Sequence, residues 1–434
     1  MTHSAPRASP RDFLAGLELF GIKLGLESIQ ALCEALGHPE RSFPSLLIAG
    51  TNGKGSVAAI TAEALRAAGL RVGRYTSPHL IRLEERFHID SSAVTASALD
   101  EALDRVREVV SELQAKGRMD VHPTYFEVTT AAAFCLFAWE AVDVAVVEVG
   151  LGGRFDATNV VMPVVSCITT IAHDHQQHLG SSLADIAREK AGIIKPGVPV
   201  VIGDLPREAL AVVSVTSQER GAALIEAFTG TVVTTTIDDG TSVISLTTPE
   251  RRYEAVPLGL RGEHQVHNAV VAVRLLETVS ALGLSVPADA VCRGLKDVRW
   301  AARLDLRVLK DGRRVLIDGA HNPAGAAALS RYMRGQWPGG LPIVFGAMSD
   351  KDLPGMLAPL ASLARPLVLT TVPVRRSATT RDLAAAAEAV GIRAPVVEPD
   401  VDEALARAWS VGHTIAVAGS LYLAGAVLER IERD

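Results

Sequence analysis

The sequence predicts an α/β protein in two parts, each built on a mostly parallel sheet. Three observations predict it. A chain of 434 residues is longer than one hydrophobic core of ordinary size serves. β-branched runs such as DVAVVEVG (143–150) and VVSCITTI (164–171) are apolar throughout, as strands covered on both faces require. Longer stretches with helical spacing lie between such runs, which is how parallel strands are joined.

In chain order, SLLIAG (45–50) reads as a buried strand and VAAITAEALRAAG (57–69) as a helix stopped by Gly69. EVTTAAAFCLFAWEA (127–141) is a largely apolar helix, followed by the two β-branched runs. The character shifts over 211–258, where TVVTTTIDDGTSVISLTTPERRYEAVPL predicts an antiparallel meander or an insertion. A helix is expected over HNAVVAVRLLETVSALG (267–283). A second α/β region opens at RRVLIDGAHN (313–322) and continues through LPIVFGAM, RPLVLTTV and HTIAVAGS. The boundary is expected near 297–303.

Composition narrows the function classes. Hydrophobic residues make up 48% and charged residues 21%, a profile with ample material to bury. A formal charge of −6 argues against coating a nucleic acid, which needs a basic face. The four cysteines (Cys33, Cys135, Cys167, Cys292) form no C-x-x-C pair, so reduced structural thiols are expected. The start, MTHSAPRASPRD, lacks the apolar run of a signal peptide, and no segment reaches about 18 uninterrupted apolar residues. A cytoplasmic protein with no membrane span is the expectation.

Five stretches carry chemistry. GTNGKGS (50–56) misses the usual P-loop spacing, because Gly55 separates Lys54 from Ser56. Its place between a strand and a helix nevertheless aims backbone N–H groups at one spot, with Lys54 for phosphates and Ser56 for magnesium. A plain glycine turn is the alternative, and the flanks favour nucleotide phosphate. Glu148 ends a very apolar strand, where it either meets a nucleotide-bound metal or caps the GLGG turn. AHDHQQHLG supplies His173, Asp174, His175 and His178. With no cysteine nearby, one histidine joining Glu148 and Ser56 around magnesium is more economical than a zinc site. Lys190 in AREKAGIIKPG reads by itself as a solvated helix face. Asp318 and His321 in VLIDGAHNP form either a binding edge or a backbone-capping turn.

Together, FGIKLGLESIQALCEALGHPE, IAGTNGKGSVAA, RYTSPHL, YFEVTTAAAFCLF, VVEVGLGGRFDATN, REKAGIIKPG, LRGEHQVHNA, DGAHNP, FGAMSDKD and AVAGSLYLAG resemble the folylpolyglutamate synthase and dihydrofolate synthase family, within the Mur ligase superfamily. The resemblance runs over nearly the whole chain. It implies an ATP-binding P-loop domain at 1–298, with a β-rich segment at about 228–258, and a smaller Rossmann-like glutamate-ligase domain at 299–434. The implied reaction uses ATP and magnesium to phosphorylate a carboxylate of dihydropteroate or a reduced folate. L-glutamate then attacks the acyl phosphate. A monomer is implied, with neither nucleic acid nor membrane as partner.

Position by position, the resemblance assigns Thr51, Asn52, Gly53, Lys54, Gly55, Ser56, Asn268, Arg303 and Asp318 to the nucleotide. It assigns Ser56, Glu148, His175 and Lys190 to metal, the last as a lysine open to carbamylation. Thr76, Ser77, Pro78 and His79 border the acid substrate, while His321 and Ser420 stand near glutamate and the acyl phosphate. Catalysis falls to Lys54, Lys190 and His321. Departures occur at Trp300-Ala301-Ala302-Arg303, where relatives have W-P-G-R, at Glu84-Glu85-Arg86 for N-E-R, and at QQHLG for T-x-x-L-G. These three departures keep open a ligase of the same mechanism joining another acid and amino acid. A nucleotide switch without ligase activity is the reading from another class.

Overall fold

The computed structural model describes residues 9–17, 23, 25–119, 121–238 and 240–433. Most of the polar start and of the FGIKLG stretch, and part of the D-D-G turn, lie outside the described residues. The first sheet has eight strands. Along it stand Ser92–Ala93, Phe87–Ile89, Val72–Tyr75, Val144–Glu148, Ser45–Ala49, Val165–Ile168, Val200–Ile202 and Leu224–Glu226. The six from Val72–Tyr75 onward pair in parallel, and the first two close the edge antiparallel.

The unbroken apolar runs follow from layers on both sides. In Ser45–Ala49 and Val144–Glu148, Leu47, Ala49, Ala145 and Val147 face one core with Phe134 and Phe137 of helix Tyr125–Trp139. Leu46, Ile48, Val144 and Val146 face the other, against helices Lys54–Ala67 and Glu263–Ala281. Full burial of such a Leu, Ile or Val side chain is worth about 1.5–3 kcal/mol relative to exposure, so alternate residues anchor opposite layers.

Residues 232–257 form a three-stranded antiparallel meander, Val232–Asp238, Thr241–Thr247 and Arg252–Pro257. A third sheet of six strands follows, in the order Asp305–Val308, Arg314–Ile317, Thr414–Ala418, Leu341–Phe345, Ala364–Leu369 and Val396–Val397. It is parallel except for its first strand. No helix among the described residues is long and apolar enough to cross a membrane. All four cysteines are free, and three are buried.

Several element ends differ from the sequence expectation, each for a local reason. The first long helix starts at Lys54 because Gly53, at φ 87°, turns the chain directly from loop to helix. The strand expected to reach 171 ends at Ile168. Beyond it Thr169 and Thr170 turn to the loop, both hydroxyls donating to the Asn52 carbonyl at 2.6 and 3.0 Å. The helix expected from 267 begins at Glu263.

Candidate active site

The carboxyl ends of the first and third sheets meet across a cleft, and the chemistry-bearing residues collect there. The 50–56 loop is shaped by three close approaches. A Cβ on Gly50 would stand 1.9 Å from Thr169 Oγ1, and one on Gly53 would stand 2.4 Å from Asn268 Oδ1. A Cβ on Gly55 would stand 2.9 Å from Trp300 Cζ2. The residue that breaks the usual P-loop spacing is therefore a glycine because Trp300 packs on it. Thr51 is pinned through its N–H to the Thr170 carbonyl (2.7 Å) and its hydroxyl to the Ala172 carbonyl (3.1 Å).

Two lysines converge on this loop. Lys54 Nζ donates to the carbonyls of Gly50 (3.0 Å) and Thr51 (3.2 Å). Lys190 Nζ donates to the same Gly50 oxygen at 2.9 Å. Lys190 is only 4% exposed, so the solvated-face reading fails. Its helix, Leu183–Ala191, is fixed by a Ser182/Asp185 capping box, which aims the lysine inward. Burial, reinforced by Lys54, lowers its pKa to about 7.

Glu148 is also buried, at 4% exposure, and accepts one hydrogen bond, from the Ser77 N–H at 3.2 Å. Burial raises its pKa, opposed by Lys54, the Ser77 N–H, Arg303 and Arg74. Among the described residues no cation lies within ion-pair distance of it, so this desolvated carboxylate suits a hard divalent cation. Ser56 is buried in the first helical turn, and both Ser56 and His175 line the same cavity as Glu148. His175 caps the short helix Gln176–Leu179 at φ 50°, and burial holds its pKa below the ordinary value. It is then neutral at pH 7, as a metal ligand must be. Among the described residues no three His, Cys, Asp or Glu side chains form a ready cage, so a cation here would complete its shell with nucleotide oxygens and water.

From the third sheet, Asp318 follows Arg314–Ile317. Its two oxygens accept from the N–H groups of Leu304 (2.8 Å) and Ala320 (2.9 Å), so the capping reading holds while it also lines the cleft. His321 Nδ1 lies 2.9 Å from the Gly319 carbonyl, which can only accept, so that nitrogen carries the proton. Asn268 and Arg303 line the same 270 Å³ cavity as residues 51–56. Ser420 is buried beyond Thr414–Ala418, its hydroxyl accepting from the Tyr422 N–H at 3.1 Å.

The substrate loop divides. Thr76, Ser77 and Pro78 line a neighbouring 620 Å³ cleft. His79 instead turns to Arg86, accepting from its Nε at 3.0 Å. One departure has a structural explanation: Glu84 pairs with Arg11 at 2.6 Å, while Glu85, which matches the E of N-E-R, caps the N–H groups of Leu80, Ile81 and Arg82.

Three residues that sequence reasoning left without a role complete the site. Asp174 pairs with Lys351 Nζ at 2.7 Å, both side chains under 10% exposed. Asn322 caps helix Pro323–Gln336 and donates to Asp174 (3.1 Å) and to Asn52 of the loop (2.9 Å). At the acid pH where it titrates, the positive charges of His175, His321 and Lys351, outweighing burial, hold the Asp174 carboxyl well below the usual range. The SDKD, HDH and DGAHNP strings are the local signals for them.

Comparison with known proteins agrees with this arrangement. Residues 48–276 match the Mur ligase middle domain and residues 302–421 the Mur ligase glutamate ligase domain. The chain is 32% identical over 428 residues to a dihydrofolate synthase/folylpolyglutamate synthase of Bacillus subtilis, covering 97% of this chain and 98% of that protein. A Mycobacterium tuberculosis folylpolyglutamate synthase, solved with ADP and AMPPCP, superposes with TM-score 0.90 at 35% identity, over 98% of this chain and 100% of that one. An FPGS–AMPPCP–folate complex superposes with TM-score 0.86 at 32% identity, over the same shares. With its eight- and six-stranded sheets, its glycine loop and its matched length, the chain belongs to the folylpolyglutamate synthase/dihydrofolate synthase family of Mur ligases.

Proposed function

We propose that this protein is an ATP-dependent amide ligase that activates a pteroate or folate carboxylate as an acyl phosphate and couples it to L-glutamate. One observation carries the reading: Lys54, Lys190 and Asp174 from the first sheet and His321 from the third line one cavity of about 40 Å³ beside the nucleotide loop. A regulatory ATPase has no use for that convergence.

A carboxylate oxygen of the acid attacks the γ-phosphorus and ADP leaves. The glutamate amine, once deprotonated, attacks the acyl carbon, and phosphate departs as the amide forms. Lys54 moves from the Gly50 and Thr51 carbonyls to the transferring phosphate oxygens, where charge develops. Magnesium, when bound, neutralises phosphate charge and orients the oxygens for in-line transfer. Ser56, Glu148 and His175 are its proposed protein ligands. Lys190, with a pKa near 7, presents a fraction of neutral amine, the form that carbon dioxide carbamylates, giving an anion for metal or acid substrate. Asn268, Arg303 and Asp318 border the nucleotide, residues 76–78 the acid, and His321 and Ser420 the incoming glutamate. His79, bonded to Arg86, supports the loop rather than contacting substrate.

The reading divides the chain at 298/299 into an ATP-binding and a glutamate-ligase part, and takes it as a cytoplasmic monomer without nucleic-acid or membrane partners. The test is ADP release by purified protein with ATP, magnesium, L-glutamate and either dihydropteroate or tetrahydrofolate. Release that requires both acid and glutamate is expected. Release only with an unrelated acid and amine would move the activity to another substrate pair.

A further inference from the structure

The 620 Å³ cleft beside the nucleotide cavity contains a cation, Arg74, that makes no ion pair among the described residues. Arg74, on strand Val72–Tyr75, lies over the Trp300 ring, its guanidinium carbon 4.9 Å from the ring centroid. Its Nε has no hydrogen-bond partner. The two carboxylates whose charge reaches it are Glu63 and Glu148. Glu63 is forked by Arg66, and Glu148 is the proposed metal ligand. His88, directly across the antiparallel pair and so on the same face, also has an unpartnered buried nitrogen, Nδ1.

Of the other arginines that line the cleft, Arg82 is exposed and Arg303 donates to the Ala302 carbonyl at 3.2 Å. Arg299 donates to the Lys296 and Val298 carbonyls, Arg307 pairs with Asp305, and Arg433 pairs with Glu429. Arg74 therefore stands over the Trp300 ring with its Nε short of an acceptor, a state in which a guanidinium can recognise a planar oxyanion. Its burial lowers its pKa only to about 10, so it stays charged at neutral pH.

The cleft shares Gly55, Ser77 and Glu148 with the nucleotide cavity. An anion on Arg74 lies beside the phosphoryl-transfer point rather than on it. We propose that Arg74, with His88 beside it and Trp300 stacked against it, binds a spectator carboxylate of the acceptor, the α-carboxylate of a glutamate that the acceptor already carries. This rests on the ligase reading above. It distinguishes the two acceptor types chemically: dihydropteroate has one carboxylate, the one activated, whereas a reduced folate has a second.

The test compares dissociation constants of tetrahydrofolate and dihydropteroate by calorimetric titration, with a non-hydrolysable ATP analogue present. In Arg74→Met, which keeps the aliphatic stem, tetrahydrofolate binding should weaken about tenfold more than dihydropteroate binding, the worth of a charge-assisted hydrogen bond. Arg74→Lys, which keeps charge but not the planar fork, should lose about threefold. An affinity ratio equal to wild type in both variants overturns the subsite. Wild-type turnover of neither acceptor overturns the ligase reading instead, a separate failure.

Discussion

At the scale of single residues, Lys190 shows why a side chain's neighbours, not its helix position, set its chemistry. Its ammonium is desolvated and faces Lys54 across the Gly50 carbonyl. The folded pKa, about 7, is below the free value of 10.5, so between these values the unfolded chain binds more protons. Stability then rises with pH across that window, and the burden of the buried charge is fully present below pH 7. In buffer purged of carbon dioxide, Lys190→Met should be more stable than wild type at pH 7, with the gap closing toward pH 10. Urea denaturation at both pH values measures it, and a pH-independent gap would refute the desolvated amine. From sequence, this lysine looked solvated until the resemblance marked it. Burial arises from packing of helix Leu183–Ala191 onto the loop, which no local pattern encodes.

At the scale of elements, the nucleotide loop is fitted to its surroundings one glycine at a time. Strand and helix flanks made it legible, because apolar runs and helical spacing are local properties. What the loop packs against was not. Gly55→Ala would drive a methyl into the Trp300 indole, and overpacking of this kind typically costs about 1–3 kcal/mol. The variant should melt lower and bind an ATP analogue more weakly. Adding Trp300→Leu, which opens the space, should restore much of the nucleotide affinity. Failure of the second change to rescue would show that the glycine serves the loop's own backbone. The segment carrying Trp300 has backbone constraints of its own: Ala302 stands at φ 56° and Leu304 at φ 47°, both in the left-handed region. Relatives with W-P-G-R have glycine at the first of these positions, so the departure at Ala302 retains a geometry that glycine adopts more readily.

At the scale of the whole molecule, the site exists only where the two sheets dock. Asp174 and Lys351 are 177 residues apart, and Asn52 and Asn322 are 270 apart. Lys351→Met would strand the Asp174 carboxylate, while Asp174→Asn with Lys351→Met removes both charges. The double variant should be less impaired than the two single losses predict, with a coupling of about 1–3 kcal/mol in kcat/KM. Strictly additive losses in that cycle would argue against a shared docking contact. The sequence by itself determined the α/β class, the order of strands and helices, the glycine loop and the family resemblance. Each depends on residues close together in the chain or on an ordered set of short motifs. Only the tertiary structure decided that Lys190 is buried, that Gly55 answers Trp300, that His79 turns to Arg86, and that Asp174 bridges to Lys351. Apart from His79 and Arg86, seven residues apart, those relations are contacts between distant segments, created by packing, and local periodicity contains no information about which distant side chain will arrive.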